Sequence, residues 1–320
     1  MTETATELGP GPAERGTDGR FHRQESRFRD WVTADGSSGF PAASGRYHLY
    51  VSLACPWAHR TVILRRLKGL EAAIGMSIVD PIRDDRGWAF REVPGATGDP
   101  INGWSYLAEA YAASDPSFDG RVSVPVLWDR ETGRIVNNES ADILVMLNHA
   151  FDHVAEHPER DFYPSELRGE IDALQNIVYE TVNNGVYRAG FARTAAAYEE
   201  AVYPVFATLD MLDDRLAGRR FLFGSRQTLA DWRLFPTLLR FDPVYVGHFK
   251  CNLRRIVDYP SLGPYLRDLY QTPGVAGTCD LDHIKRHYYV THRMINPTGI
   301  VPVGPVLDLA APHGRAGLGD

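Results

Sequence analysis

Cysteine is scarce in this chain, with three in 320 residues, at positions 55, 251 and 279. An odd count at such wide spacing argues against a disulfide framework and fits a reducing, cytoplasmic setting. Long apolar runs are missing too. No stretch approaches the ~20 residues that a membrane-spanning helix requires. The opening "MTETATELGPGPAERGTDGR" lacks the apolar core of a secretory signal. Basic residues are outnumbered, 34 Lys and Arg against 41 Asp and Glu, for a net charge of -7. A nucleic-acid binder concentrates positive charge on one face, and "RRLK" at 65–68 is too short and too mixed with apolar residues to serve. The 11 histidines include no HExxH and no clustered ligand spacing, so no metal site is expected.

What is present is ample apolar content, 44% of residues. At this length that is enough for about two domains, each with a real core. Residues 1–20 are polar and rich in Gly, Pro and Glu, and are expected to be disordered; the tail 305–320, with "LDLAAPHGRAGLGD", is expected to be flexible. Between these ends the pattern changes once. From 21 to 151, strand-like and helix-like pieces alternate. "RYHLYVSL" (46–53) and "MSIVD" (76–80) read as strands, "VSVPVLWD" and "RIVNN" as an antiparallel pair, and "ESADILVMLNHAF" (139–151) as a helix. Ile63, Leu67 and Leu70 share a helical face. After a Pro- and charge-rich linker (152–164), residues 165–304 read as helices: 165–185 with Ser165 as N-cap and Gly185 past its end, 194–218, 228–241 opened by Thr228 and Asp231 at capping-box spacing, and 261–274. The fold class is therefore an α/β domain followed by an all-α domain.

Cys55 stands at the junction of the first strand and the first helix, in "VSLACPWAHRTVILRRL". Pro56 suits the first helical position, where a missing N–H costs nothing. Cys55 then falls at or near the N-cap, where free N–H groups and the helix dipole favour an anion. The thiolate is the nucleophilic form of cysteine, so the position makes a reactive residue. Ala58 occupies the place where a C-x-x-C pair would carry its second thiol. After attacking a sulfur, Cys55 has no neighbour to resolve the mixed disulfide, and an outside thiol must do so. The residues alone thus describe a monothiol exchanger served by a small soluble thiol. His59 and Arg60, one turn on, either add positive potential there or merely solvate the helix. Cys251 and Cys279 have no reactive context.

Two further features fit a thioredoxin-like arrangement. Val124-Pro125 sits where a strand starts, a place where such folds carry a cis proline beside the nucleophile. Glu139 and Ser140 open a helix, where side chains and N-terminal N–H groups can hold the carboxylate and amine of a γ-glutamyl group; simple capping is the alternative.

The blocks "GRYHLYVSLACPWAHRTVILRRLKGLE", "DRGWAF", "GRVSVPVLWD", "IVNNES", "NNGVYRAGF", "LADWRLFPTLLRFDPVY" and "KRHYYVTHRMINPTGIVP" resemble the glutathionyl-hydroquinone reductases, the Xi class of glutathione transferases. The resemblance spans roughly residues 21–304. It implies a thioredoxin-like domain followed by a helical glutathione-transferase domain, a homodimer, and glutathione as cosubstrate with no permanently bound cofactor. It implies reductive removal of glutathione from glutathionyl-hydroquinones through a disulfide between Cys55 and glutathione. Trp88 would flank the glutathione, Val124 before Pro125 would pair with its cysteinyl backbone, Glu139 and Ser140 would hold its γ-glutamyl end, and Arg121 is a candidate carboxylate partner. Tyr187 and one of Tyr288 and Tyr289 would face the quinol. Such phenols suit a reaction that leaves charge on a ring and needs a proton on carbon. The same cysteine could instead serve an omega-like thiol transferase or dehydroascorbate reductase. A conjugating transferase or a non-catalytic module on this scaffold has less use for it.

Overall fold

The structure is a computed structural model that describes residues 14–319. Four strands form one mixed sheet: β1 (Tyr47–Val51), β2 (Gly75–Ile78), β3 (Val126–Asp129) and β4 (Arg134–Asn137), in the order β2-β1-β3-β4. β1 runs parallel to β2, with Val51 opposite Ile78, and antiparallel to β3, with Tyr50 opposite Val126. All five residues of β1 are buried, as a central strand covered on both faces requires. Helices α1 (Pro56–Leu67) and α3 (Ser140–His149) pack against each other, and a short α2 (Ala108–Ser114), which the sequence reading did not foresee, lies against β4. α1 stops at Leu67 rather than running on to Leu70. Gly69, at φ +64°, turns the chain there, and a Cβ at this position would lie 2.5 Å from Cβ of Glu156. Leu70 is nevertheless buried.

The second half is helical: α4 (Arg168–Val178), α5 (Gly185–Gly190), α6 (Ala195–Leu216), α7 (Leu229–Arg240), α8 (Leu262–Tyr270) and α9 (Leu281–Arg286). Thr194 caps α6 through the Ala197 N–H at 3.2 Å, and the Asp231 carboxylate reaches back to the Thr228 N–H at 2.7 Å. The expected helix 165–185 differs in two ways. Ser165 caps nothing, because α4 starts three residues later behind Leu167. Gly185 does not end a helix but begins α5, after a π turn at Tyr179–Asn183. Two more π turns, Phe241–Tyr245 and His287–Thr291, extend α7 and α9. Each inserts an extra residue into the helical repeat and rotates the next side chains about the axis by roughly 100°.

Within the stretches that composition reads as loose, Glu14 and Arg315 are both buried. Residues 1–13 lie outside the described residues. Glu14, however, is buried and accepts two hydrogen bonds from Arg121, at 2.6 and 2.7 Å. In the tail, Arg315 is buried and donates to the carbonyls of Leu216 (3.0 Å), Arg220 (3.0 Å) and Ser261 (3.4 Å). The Leu216 carbonyl closes α6, where carbonyls lack intrahelical donors and a cation is favoured, and the same guanidinium ties that end to the Arg220 loop and to the turn before α8. No helix among the described residues is long and apolar enough to cross a membrane.

Candidate active site

Cys55 is the N-cap of α1, with φ -80° and ψ 123°, and Pro56 follows at the first helical position. No acidic residue lies in the first turn. The half-buried thiol donates to the Val124 carbonyl at 3.6 Å, and the Val124–Pro125 peptide is cis. The loop before Cys55 is held from the other half of the molecule. Arg240, wholly buried at the end of α7, donates to the carbonyls of Leu53 (2.7 Å) and Ala54 (2.8 Å). It also reaches Nδ1 of His59 at 3.2 Å. His59 is therefore no source of positive potential: burial and the Arg240 charge hold it neutral, well below the ordinary imidazole range. Arg60 is the cation of the pair. It is buried, donates to the Arg233 carbonyl (2.9 Å) and Asn183 (2.9 Å), and lies 4.5 Å from the Trp57 ring. Burial lowers its pKa to about 9, which leaves it charged at neutral pH.

A cavity of about 360 Å³ opens over Cys55. It is lined by Trp88, Arg121, Val124, Pro125, Glu139 and Ser140, and by residues 23–27 and 29 of the N-terminal arm, the segment 14–46 that precedes β1. Glu139 caps α3, accepting from the Ala141 N–H at 3.0 Å, and also accepts from the Ser26 hydroxyl at 3.1 Å. Ser140 is buried behind it, 3.4 Å from Arg60. Arg121 faces the cavity and already has a carboxylate partner in Glu14. Trp88 stacks on His287, with ring centroids 5.0 Å apart and planes 20° apart. The Trp88 wall thereby joins the two halves.

Behind the thiol lies an aromatic block. The Tyr187 hydroxyl makes a short hydrogen bond to that of Tyr288, and Tyr288 meets Tyr245 at 3.2 Å. All three are buried. Burial raises all three phenols above their ordinary pKa, and negative charge at Cys55 adds to the rise at Tyr187. They stay protonated at neutral pH. Three hydroxyls in a row share two hydrogen bonds, so one O–H proton remains to be given outward. Phe249 packs on Tyr187 and Tyr245, with both centroid distances 5.5 Å. A Cβ at Gly190 would lie 2.1 Å from the Phe249 ring, which explains the second glycine of "NNGVYRAG". Tyr289 turns away, donating to the Pro243 carbonyl at 3.2 Å. Among the described residues no three His, Cys, Asp or Glu side chains gather as a metal site.

Family models for the glutathione S-transferase N-terminal and C-terminal domains match residues 54–150 and 195–268. The chain is 52% identical over 308 residues to "Glutathionyl-hydroquinone reductase YqjG" of Escherichia coli K12, covering 94% of each chain. It is 53% identical to "Glutathionyl-hydroquinone reductase PcpF" of Sphingobium chlorophenolicum, covering 92% of this chain and 93% of that one. The chain belongs to the glutathionyl-hydroquinone reductase family. The solved structure of Escherichia coli YqjG with glutathione bound superposes on this Xi-class chain with a TM-score of 0.88 at 52% identity, over 93% of this chain and 97% of that one.

Within this family frame, the structure brings Cys55, Trp88, Arg121, Val124, Pro125, Glu139 and Ser140 around one cavity. It sets Tyr187 and Tyr288 together behind it and leaves Tyr289 apart. Sequence reasoning missed Tyr245, although that residue closes the "FDPVY" block. It also missed Arg23 and Trp57, whose rings and charge meet Tyr187. Cys-x-Trp was the available signal for Trp57; nothing local marked Arg23.

Proposed function

We infer that this chain removes glutathione from glutathionyl-hydroquinones, with a second glutathione as reductant. The observation that carries the reading is a lone thiol at a helix N-terminus set against a sealed row of protonated phenols. The Cys55 thiolate attacks the glutathione sulfur of the substrate. A disulfide forms, the aryl C–S bond breaks, and its electron pair passes to the ring. The ring carbon takes a proton and the hydroquinone leaves. A second glutathione thiolate then attacks the glutathione sulfur of the mixed disulfide, expelling the Cys55 thiolate and giving oxidised glutathione.

In this reading residues 21–151 form the glutathione-binding unit and 165–304 the quinol-binding unit, joined by 152–164. Trp88 flanks the tripeptide, the Val124 backbone beside Pro125 pairs with its cysteinyl unit, and Glu139 and Ser140 hold the γ-glutamyl end. Arg121 takes a carboxylate when Glu14 gives way. Tyr187 donates toward the ring oxygen and Tyr288, bonded behind it, relays the proton; Tyr289 takes no part. We place the enzyme in the cytoplasm as a homodimer. Two nearly fully exposed valines, Val303 (98%) and Val306 (95%), are consistent with a surface that a second copy covers.

Oxidised glutathione should add one reducible glutathione at Cys55, seen by mass spectrometry. Cys55→Ser should lose at least ~10³-fold in turnover of a glutathionyl-hydroquinone. A protein that turns over small glutathione mixed disulfides but no aryl thioether would be a thiol transferase instead, and the reading would fall.

A further inference from the structure

The N-terminal arm supplies side chains to the site, and most have evident partners. The Ser26 hydroxyl donates to Glu139, and the Gln24 side-chain carbonyl accepts from the Arg121 N–H at 2.8 Å. Arg23 is different. Its Nε donates to Oδ1 of Asn184 at 2.8 Å, and its guanidinium carbon lies 4.8 Å from the centroids of both Trp57 and Tyr187. Among the described residues no carboxylate pairs with it, and its Nη2 is buried without an acceptor. A buried donor left unmet costs stability and calls for a reason. Here the unmet donor belongs to a cation held against the ring of Tyr187, the phenol on which negative charge at Cys55 acts.

We propose that Arg23 is a positioning residue for the C–S bond-breaking step, offsetting through Tyr187 the negative charge that builds on the quinol as the aryl C–S bond breaks. This rests on the reductase reading above. The cation favours a more acidic, better-donating Tyr187 hydroxyl, against the opposing pull of burial and of the Cys55 charge. Arg23 itself gains and loses no proton. The electron pair of the C–S bond enters the ring, the ring carbon takes the proton, and the disulfide of Cys55 with glutathione forms as before. Exchange with a small glutathione disulfide expels a sulfur anion instead and places no charge beside Tyr187. Arg23 should therefore separate the two reactions.

The test compares Arg23→Gln and Arg23→Lys with the parent protein on 2-glutathionyl-hydroquinone, its chlorinated counterpart, and a small mixed disulfide of glutathione. In Arg23→Gln the ratio of kcat on the aryl thioether to kcat on the disulfide should fall ~10–100-fold, less than the ~10²–10³-fold for losing a donor in direct contact with a developing charge, because Arg23 acts through Tyr187. Arg23→Lys should recover part of that ratio. The loss should be smaller for the chlorinated ring, which carries negative charge more readily. If both reactions slow together in both variants, Arg23 merely braces the arm or binds glutathione, and the proposal is overturned. An equal loss on plain and chlorinated rings overturns it as well. A parent protein inactive on every aryl thioether would instead defeat the reductase reading itself.

Discussion

Around Cys55 the site is open, polar and charged; around Tyr288 it is sealed, and its phenols and imidazoles are held neutral. The thiol half is made largely from backbone: a helix N-terminus, a carbonyl from a cis peptide, and a cavity rimmed by Arg, Glu and Ser. The phenol half is made from side chains packed to exclude water, three tyrosines backed by Phe249, His248 and His292. Burial acts on every titratable group there in the same sense. It holds the phenols protonated and pushes His287 down to about 3 and His248 to about 4, so neither ring is charged at neutral pH. The contrast suits the chemistry. A thiolate needs dipoles and access for a second thiol, whereas a proton donor to carbon gains from a dry, low-dielectric setting.

The contrast breaks most visibly at Tyr288. Tyr288→Phe removes the hydroxyl that bonds to both Tyr187 and Tyr245. Turnover of a glutathionyl-hydroquinone should fall ~10²-fold, within the range for a lost proton donor. Turnover of a small mixed disulfide, which uses only the thiol half, should move by less than about threefold. Tyr289→Phe should change neither by more than about twofold, since its hydroxyl is spent on Pro243. Equal losses in the two variants would mean that the two tyrosines serve packing alone.

Acid should sharpen the contrast further. His287 donates to or accepts from nothing charged: its Nδ1 meets the Pro81 carbonyl at 2.7 Å, it stacks on Trp88, and Arg83, Arg121, Arg240 and His292 face it. With a folded pKa of about 3 against ~6.5 in the unfolded chain, only the unfolded chain takes up this proton between those values. Stability is thus intact above pH 6.5 and declines as pH falls toward 3, by roughly 2 kcal/mol at pH 5 from this ring alone. Urea midpoints at pH 7 and pH 5 measure it. His287→Asn should flatten the slope by about one proton, and an unchanged slope would assign the acid sensitivity elsewhere.

Local signals carried the thiol half into view and left most of the phenol half hidden. Cys55-Pro56, Val124-Pro125, Thr194 and Thr228-x-x-Asp231 each act within a few residues, so spacing alone reveals them. The row of hydroxyls depends on residues more than forty positions apart meeting in space. The turns that carry Tyr245 and Tyr288 are π turns, which break the 3.6-residue repeat on which periodicity reading relies. Tyr187 and one of the tyrosine pair were reachable only through family resemblance, and only the fold shows that Tyr288 meets Tyr187 while Tyr289 turns to Pro243. The same holds for the buried cations. Arg240 and Arg315 look like surface residues in composition, yet each satisfies carbonyls left open at distant chain turns. Ser165 misled because a capping residue type near a helical pattern is only a local preference; the helix began where the core demanded it.

The smallest effect should come from the other two cysteines, and it tests whether reactivity belongs to the thiol half alone. Cys251 is buried beside the Phe249 carbonyl, and burial pushes its thiol up to about 12. Cys279 lies 3.8 Å from Nε2 of His59, a geometry that would make a nucleophile if the imidazole could take the proton. It cannot do so readily, because burial and Arg240 keep His59 from charging, and Cys279 is itself raised to about 11. At pH 7.5 fewer than ~1 in 10³ of these thiols would be ionised. Iodoacetamide at that pH should therefore label Cys55 first, by peptide mapping, and Cys279→Ala should leave kcat within about twofold. Labelling of Cys279 at a rate comparable to Cys55 would show that the buried cation fails to hold His59 neutral, and the division between a charged half and a neutral half would lose its sharpest boundary.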